Sequence, residues 1–506
     1  MKLKRVFYNI FLGFGTQLAM LAVGLIVPRL ILKSYGSEVN GLFSTVANIY
    51  TYLALVEAGI GASALQDLYK PAADNNHQEI NEILGAARRH FRRCAVLYLI
   101  GTAVLTLLLP WILKTEIGKW EIAAVVALQG AASLANFYVL AGITTLLPAE
   151  GKEYVQNSFT FFTAFAASIA KIILVNFAVN IVVLQLAYFF ITILSIAAYY
   201  AYFKWNYPWI DFSCRGENRS LKQRRSFFVH SVVYIIFNNT DVILLSAFCG
   251  LKVSSVYAVY NMIFLYLLKL INSVFNGVKF TLGQTYHRSR KKYLILHDAY
   301  KSCYCAFVFA LMSVCYVLIT PFIRLYTAGV TDIDYVDPYL PLLFCVLNLL
   351  SVCRSTESNL ISLSFHARQT LSRTIAEAVI NLSASLVLVQ KLGIYGCLLG
   401  TVLALLYRTN DMIIYANRRI LSRNPVQAYK TVAVNFVLFF SIVWLSDRLN
   451  LRIGSYGGFA AWGMLLCPIF MAIFFICNAA VNAEGFRYVR RVLCTRLSQR
   501  TALKKG

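Results

Sequence analysis

Charged residues are scarce in this chain. Of its 506 residues only 14% are Asp, Glu, Lys or Arg, about half the usual share, while 59% are hydrophobic and the mean hydropathy is +0.64. A surface that faces only water needs far more polar side chains, so the composition excludes an ordinary soluble protein. Catalytic signatures are also missing. There is no Gly-rich P-loop, no HExxH, no GxSxG, and the six His stand without metal-ligand spacing, so an ATPase domain, a zinc hydrolase and an esterase are all excluded and no cofactor is expected. Twelve Cys give no disulfide or metal framework, because most fall within apolar stretches as small hydrophobic residues and Cys303 with Cys305 lacks a partner pair. No cleavage pattern of small residues follows the first apolar stretch, which predicts that it serves as its own uncleaved insertion signal.

What fills the chain is apolar runs of about twenty residues, the length a helix needs to cross roughly 30 Å of hydrocarbon. They predict an all-α integral membrane protein of about fourteen transmembrane helices, over 9–32, 40–63, 94–113, 121–147, 157–178, 181–203, 227–248, 253–280, 302–325, 338–363, 369–390, 393–417, 430–446 and 456–478. A net charge of +25 could mark a nucleic-acid binder, but its placement argues against that partner. With Lys2, Lys4 and Arg5 inside, roughly 32 of the 47 basic residues fall in cytoplasmic segments and about 8 outside, as the positive-inside rule requires. Both termini are thereby expected in the cytoplasm, with the basic segments Arg88 to Arg93, Lys204 to Arg225, Arg288 to Lys292 and Arg418 to Lys430 facing anionic lipid. The acidic loop of Asp332, Asp334 and Asp337 is expected outside.

A weak internal repeat groups the helices. The stretch from Tyr35 through Gly36 to Phe43 aligns with Cys249 through Gly250 to Tyr257, an offset of 214 residues from Gly36 to Gly250. Each half also carries a basic inside segment after its first helix pair, so the repeats run parallel and predict two pseudo-symmetric six-helix lobes. The expected domains are an N-lobe over 1–203, a cytoplasmic linker over 204–226, a C-lobe over 227–420, and a C-terminal part over 421–506 holding two further helices and a basic tail.

An ionisable side chain within the bilayer costs several kcal/mol unless it is paired or faces a wet cavity, so such residues are the functional leads. They are Arg29, Glu57, Lys171, Asp241, Lys269, Lys279, Arg354, Glu357, Arg373, Glu377, Arg408 and Asp411. Arg354 with Glu357, Arg373 with Glu377, and Arg408 with Asp411 have the helical spacing for local ion pairs. Lys171 and Lys279 lie near span ends, where snorkelling to the surface suffices. Arg29 follows Pro28, a residue that can bend the helix. Asn238, Asn239 and Thr240 precede Asp241 in a polar cluster suited to a cavity wall.

The segment YGSEVNGLFSTVANIYTYLALVEAGIGASALQDLYKP, with Tyr35, Gly36, Gly41 and Leu42, then Glu57 to Gly61, Leu68 to Pro71 and the basic Arg88 to Arg93, resembles the N-terminal region of bacterial polysaccharide-biosynthesis flippases. These form the Wzx-like branch of the multidrug/oligosaccharidyl-lipid/polysaccharide exporter superfamily, which also holds lipid II flippases and multidrug-and-toxin extruders. The stretch Tyr257 to Asn261 continues the likeness, and the lipid II branch shares the count of fourteen helices.

The resemblance implies a flippase in the bacterial inner membrane that turns an isoprenoid-pyrophosphate-linked oligosaccharide, of the undecaprenyl-pyrophosphate type, to the outer leaflet by alternating access for surface polysaccharide biosynthesis. Membrane lipid and other polysaccharide-assembly proteins would be its partners. Arg29, Lys269, Arg354, Arg373 and Arg408 are the candidates for the pyrophosphate, Asn238 and Asn239 for the sugars, and Glu57 and Asp241 for ion coupling. The first helix keeps Arg29 but lacks the Arg-Asp pair of the lipid II branch. A multidrug extruder of the same fold and a membrane oligosaccharide polymerase or ligase remain as alternatives.

Overall fold

The computed structural model describes residues 2–57, 60–140, 143–211, 224–364, 366, 368–449 and 453–487, with some side chains inside these helices outside the description. Most of the expected linker and the basic tail past 487 lie outside the described residues, as does the Lys279 side chain. Backbone amides in hydrocarbon have no water to bond, so the chain satisfies them within helices. No strand occurs among the described residues. The helices are α1 (Lys2–Leu53), α2 (Ile60–Asp74), α3 (His77–Ile112), α4 (Lys119–Leu140), α5 (Ile143–Ala149), α6 (Glu153–Asn176), α7 (Ile181–Asn206) and α8 (Arg224–Phe248). Then follow α9 (Leu251–Arg288), α10 (Arg290–Tyr326), α11 (Leu340–Leu363), α12 (Leu371–Leu392), α13 (Ile394–Tyr415), α14 (Val426–Leu449) and α15 (Tyr456–Val481).

Among the described residues twelve helices are long and apolar enough to cross a membrane. That count takes Val23–Glu57 as one and leaves out α8, of which only the shorter apolar stretch Asn239–Phe248 is found. The backbone leaves helical geometry inside α1 at Gly36, where φ is 81° and ψ is −179°. Dividing α1 there and counting α8 in full gives twelve plus one plus one, the fourteen the apolar runs predict. The break falls at Gly36 and not at Pro28, which sits within the helix. A positive φ of this size is open to glycine at no steric cost, and Gly250, its partner in the repeat, has φ 91° between α8 and α9.

Several helices outrun the bilayer. The 36 residues of α3 span about 54 Å at 1.5 Å per residue, longer than the roughly 30 Å of hydrocarbon, with the basic Arg88 to Arg93 in its N-terminal half. Large side chains such as Leu97, Leu107, Trp111, Phe190, Leu194 and Ile476 are exposed, the pattern of a surface wetted by lipid.

The chain divides into two compact units, one of 1–259 with 329–333, the other of 260–328 with 334–506. In the first, one core gathers Leu68, Leu84, Leu146, Tyr199 and Phe203, and a second gathers Leu42, Val46, Ile122, Val125 and Leu251. The second half of α1 meets α8 and the start of α9 through small and polar residues. Asn40 donates to Ser255 at 2.7 Å, Thr45 and Ser246 hydroxyls lie 2.6 Å apart, and a Cβ on Gly41 would overlap the Leu251 carbonyl. The acidic loop reaches the Gly36 turn, where Asp332 accepts from the Ser37 amide and hydroxyl, both at 2.7 Å. Two segments that the charge pattern puts on one side of the membrane thus touch.

In the second unit α10 packs on α11, α14 and α15, and α12 pairs closely with α13. A Cβ on Gly400 would collide with the backbone of Ser385, so glycine permits that closeness. The helices α14 and α15 exchange amide hydrogen bonds between Asn435 and Asn478 at 3.0 and 2.9 Å, and Asn482 donates to Ser302 of α10 at 3.1 Å.

Candidate functional site

Charged side chains inside the second unit form one continuous network. Arg354 of α11 bonds Glu377 of α12, and Glu377 lies 3.4 Å from Arg408 Nε of α13. Arg408 donates to Asp411 at 2.6 Å and to the Thr374 hydroxyl at 2.7 Å, and Asp411 accepts from Arg373 of α12 at 2.6 Å. Among the described residues these ion pairs join three arginines to two carboxylates. The Arg408 side chain is 2% exposed, matched by two acids, while Arg373 is 40% exposed and rests over the Tyr415 ring at 4.9 Å. The network's accessible end is therefore Arg373.

Of the three local pairs that helical spacing predicts, that of Arg408 with Asp411 forms. Glu357, fully buried, pairs instead with Lys301 of α10, and also accepts from Thr356 at 2.6 Å. Glu377 takes Arg354 and Arg408 in place of Arg373. In each case an acid that points between helices meets a base pointing in from the neighbour, a geometry that sequence spacing along one helix does not reveal. Lys301 escapes the sequence reading because it lies one residue before the expected span of 302–325, whereas α10 already begins at Arg290.

The first unit holds the other polar cluster. Asp241 of α8 is 4% exposed and accepts from the Tyr257 hydroxyl at 3.0 Å. Tyr52 bonds the neighbouring Thr240, joining α1 to α8. Asn239 is partly buried and donates to its own helix at the Ile235 carbonyl, 3.1 Å away. Asn238 lies in α8 with its side chain outside the described ones. Glu57 ends a short 3₁₀ turn over Ala54–Glu57, partly buried, and α8 packs against that turn. The two acids expected for ion coupling thus stand on packed elements of the first unit.

Of the remaining candidates, Arg29 is partly buried in α1, in the first unit. Lys269 is exposed on α9, in the second unit, with its ammonium 5.4 Å from the Tyr266 ring. Among the described residues no group of three or more His, Cys, Asp or Glu could hold a metal ion. At one end of the second unit, Arg423 grips Asp298 through two bonds of 2.6 Å, and Arg290 donates to the Ile420 carbonyl at 3.1 Å, fastening the start of α10 to the turn after α13.

No protein-family model and no curated protein sequence matches the chain. Solved structures do. The lipid II flippase MurJ in an inward closed conformation aligns with a TM-score of 0.64 at 15% identity, over 93% of this chain and 99% of that one. The MATE multidrug transporter DinF-BH gives 0.61 at 13% identity, over 83% of this chain and 97% of that one. An inward-facing multidrug resistance transporter of the MATE family gives 0.58 at 12% identity, over 80% and 98%. All three are transporters or flippases and none is an enzyme. A chain whose described residues form helices of membrane-crossing length, and which aligns with these structures over 80–93% of its length, has the fold of the MOP-superfamily transporters.

Proposed function

We propose that this protein is a Wzx-like flippase that carries an isoprenoid-pyrophosphate-linked oligosaccharide from the cytoplasmic to the outer leaflet of a bacterial inner membrane. The observation that carries the reading is the extent of the two likenesses. The multidrug transporters are themselves matched almost whole yet leave 17 to 20% of this chain over, and the lipid II flippase leaves 7%. Residues 421–506, which hold α14, α15 and the basic tail, amount to 86 of 506, or 17%. The excess over the extruders is thus the size of the part that the repeat leaves unpaired, and a pair of extra helices suits a cargo with a long lipid tail.

The charges fit such a cargo. A pyrophosphate takes arginine or lysine through charge-assisted hydrogen bonds, and Arg373 and Lys269 are the most accessible of the five candidates, with Arg29 and Arg354 partly buried. Arg408 would act through Asp411, holding Arg373 in place. Glu57 and Asp241 would bind the coupling ion. Alternating access would run between lobes 1–203 and 227–420, joined by 204–226, with both termini in the cytoplasm.

The likeness to MATE multidrug transporters supports a second reading, export of a drug or organic cation. Deleting the gene decides between them. A flippase deletion leaves lipid-linked units on the inner leaflet and strips the surface glycan, with restoration by the intact gene. Unchanged surface glycan together with new sensitivity to cationic dyes transfers the assignment to the extruder.

A further inference from the structure

The expected behaviour of Lys171 is to snorkel, and its surroundings are wrong for that. It lies on α6 five residues before the helix ends at Asn176. Its ammonium sits 5.3 Å from the Phe43 ring of α1 and 5.3 Å from the Tyr188 ring of α7. Phe43 and Tyr188 are each seven residues into their helical segments, counted from Gly36 and Ile181, and Tyr35 ties those ends together by donating to the Val179 carbonyl at 2.6 Å. At 1.5 Å per residue the rings sit about 10 Å below that end of the unit and the lysine backbone about 7.5 Å below it. Helical side chains also lean toward the N-terminus, which for Lys171 points deeper rather than toward the nearby end. The ammonium is held at the level of the rings, away from the surface.

Energy makes this placement informative. A cation over an aromatic face gains a modest attraction, which is smaller than the cost of holding an ammonium within an apolar helix bundle. Among the described residues no carboxylate pairs with Lys171. By contrast, the fully buried lysine and arginine among those residues each have an acid: Lys301 has Glu357, and Arg408 has Glu377 and Asp411. A charge-assisted hydrogen bond to an oxyanion would supply the stabilisation that the rings do not. Lys171 keeps partial exposure, and Gln185, one turn before Tyr188, bonds Gln129 of α4 at 2.7 Å, adding a polar group to the same stretch of α7.

We propose that Lys171, flanked by Phe43 and Tyr188, is an oxyanion-binding subsite inside the first unit, reached by a phosphate or carboxylate of the cargo. The nature of that cargo rests on the flippase reading; the existence of the subsite does not. The test is thermal stabilisation of the purified full chain in a neutral detergent by inorganic pyrophosphate, by glucuronate, and by methyl glucoside as the uncharged control. Either anion should raise the unfolding temperature saturably and the neutral sugar should not, with half-saturation about tenfold weaker in Lys171→Met and retained in Lys171→Arg. A response to pyrophosphate alone assigns the lipid-proximal linkage, one to glucuronate alone assigns an acidic sugar, and one to both assigns a general oxyanion site. Should Lys171→Met fail to fold, Tyr188→Leu must weaken the same response. No stabilisation of the wild type by either anion, or an undiminished response in a folded Lys171→Met or, failing that, in Tyr188→Leu, overturns the subsite while leaving the export phenotype to be judged by gene deletion.

Discussion

Lys301 and Glu357 meet between α10 and α11 with almost no exposure, so each neutralises a charge that hydrocarbon would otherwise reject. Such a pair is worth little against two apolar residues of the same size, but removing one member strands the other. Lys301→Met or Glu357→Met alone is therefore expected to destabilise the protein by about 3–5 kcal/mol, and the double variant to recover most of it. Thermal unfolding in detergent reads the result, and equal losses in single and double variants would show that the pair does not act as a unit. The positions of most buried charges are legible in the sequence, because an Arg or Glu inside an apolar run has few places to go. Their partners are not. Which face of α11 meets α10, and which meets α12, depends on the rotational setting of packed helices, so spacing matches Glu357 to Arg354 along its own helix while its partner stands on the neighbouring one.

Among helices, the small and polar contacts of α1 with α8 and α9 invite a direct test. Alternating access between the proposed lobes 1–203 and 227–420 would break the Asn40 to Ser255 and Thr45 to Ser246 bonds, which here hold α1, α8 and α9 within the first compact unit. Cysteines introduced together at Asn40 and Ser255 should cross-link under mild oxidation and stop glycan export, with recovery on reduction and near-normal export in each single variant. Full export by the cross-linked protein would mean that this seam stays closed through the cycle. Element existence is easy to read here, since a run of twenty apolar residues has one stable answer in lipid. Element ends are not: α3 and α10 extend well outside the hydrocarbon, where helical propensity and packing rather than hydropathy set the boundary. The turn at Gly36 is legible through its repeat at Gly250, because a positive φ needs glycine in both places.

For the whole molecule, the charge distribution predicts that Gly329, in the acidic loop, faces the exterior and Lys152, between α5 and α6, the cytoplasm. Single cysteines at the two positions should react with an impermeant maleimide in whole cells at Gly329 and only after permeabilisation at Lys152. The reverse pattern would invert the topology and with it the direction of transport. The fold class follows from composition and the length of the apolar runs, whereas the proposed division into two six-helix lobes with α14 and α15 added rests on a weak repeat, and a repeat does not show what unpaired helices serve.

The arginine and carboxylate network of α11, α12 and α13 has one consequence that reaches the cell's energy supply. Arg373, Arg408 and Arg354 stand on helices long and apolar enough to cross a membrane, and a full charge carried across 100 mV changes energy by about 2.3 kcal/mol. If transport rocks these helices along the membrane normal, the electrical potential does work on whatever net charge they carry in every cycle. Voltage would then bias the position of α11, α12 and α13 even before any cargo or ion binds.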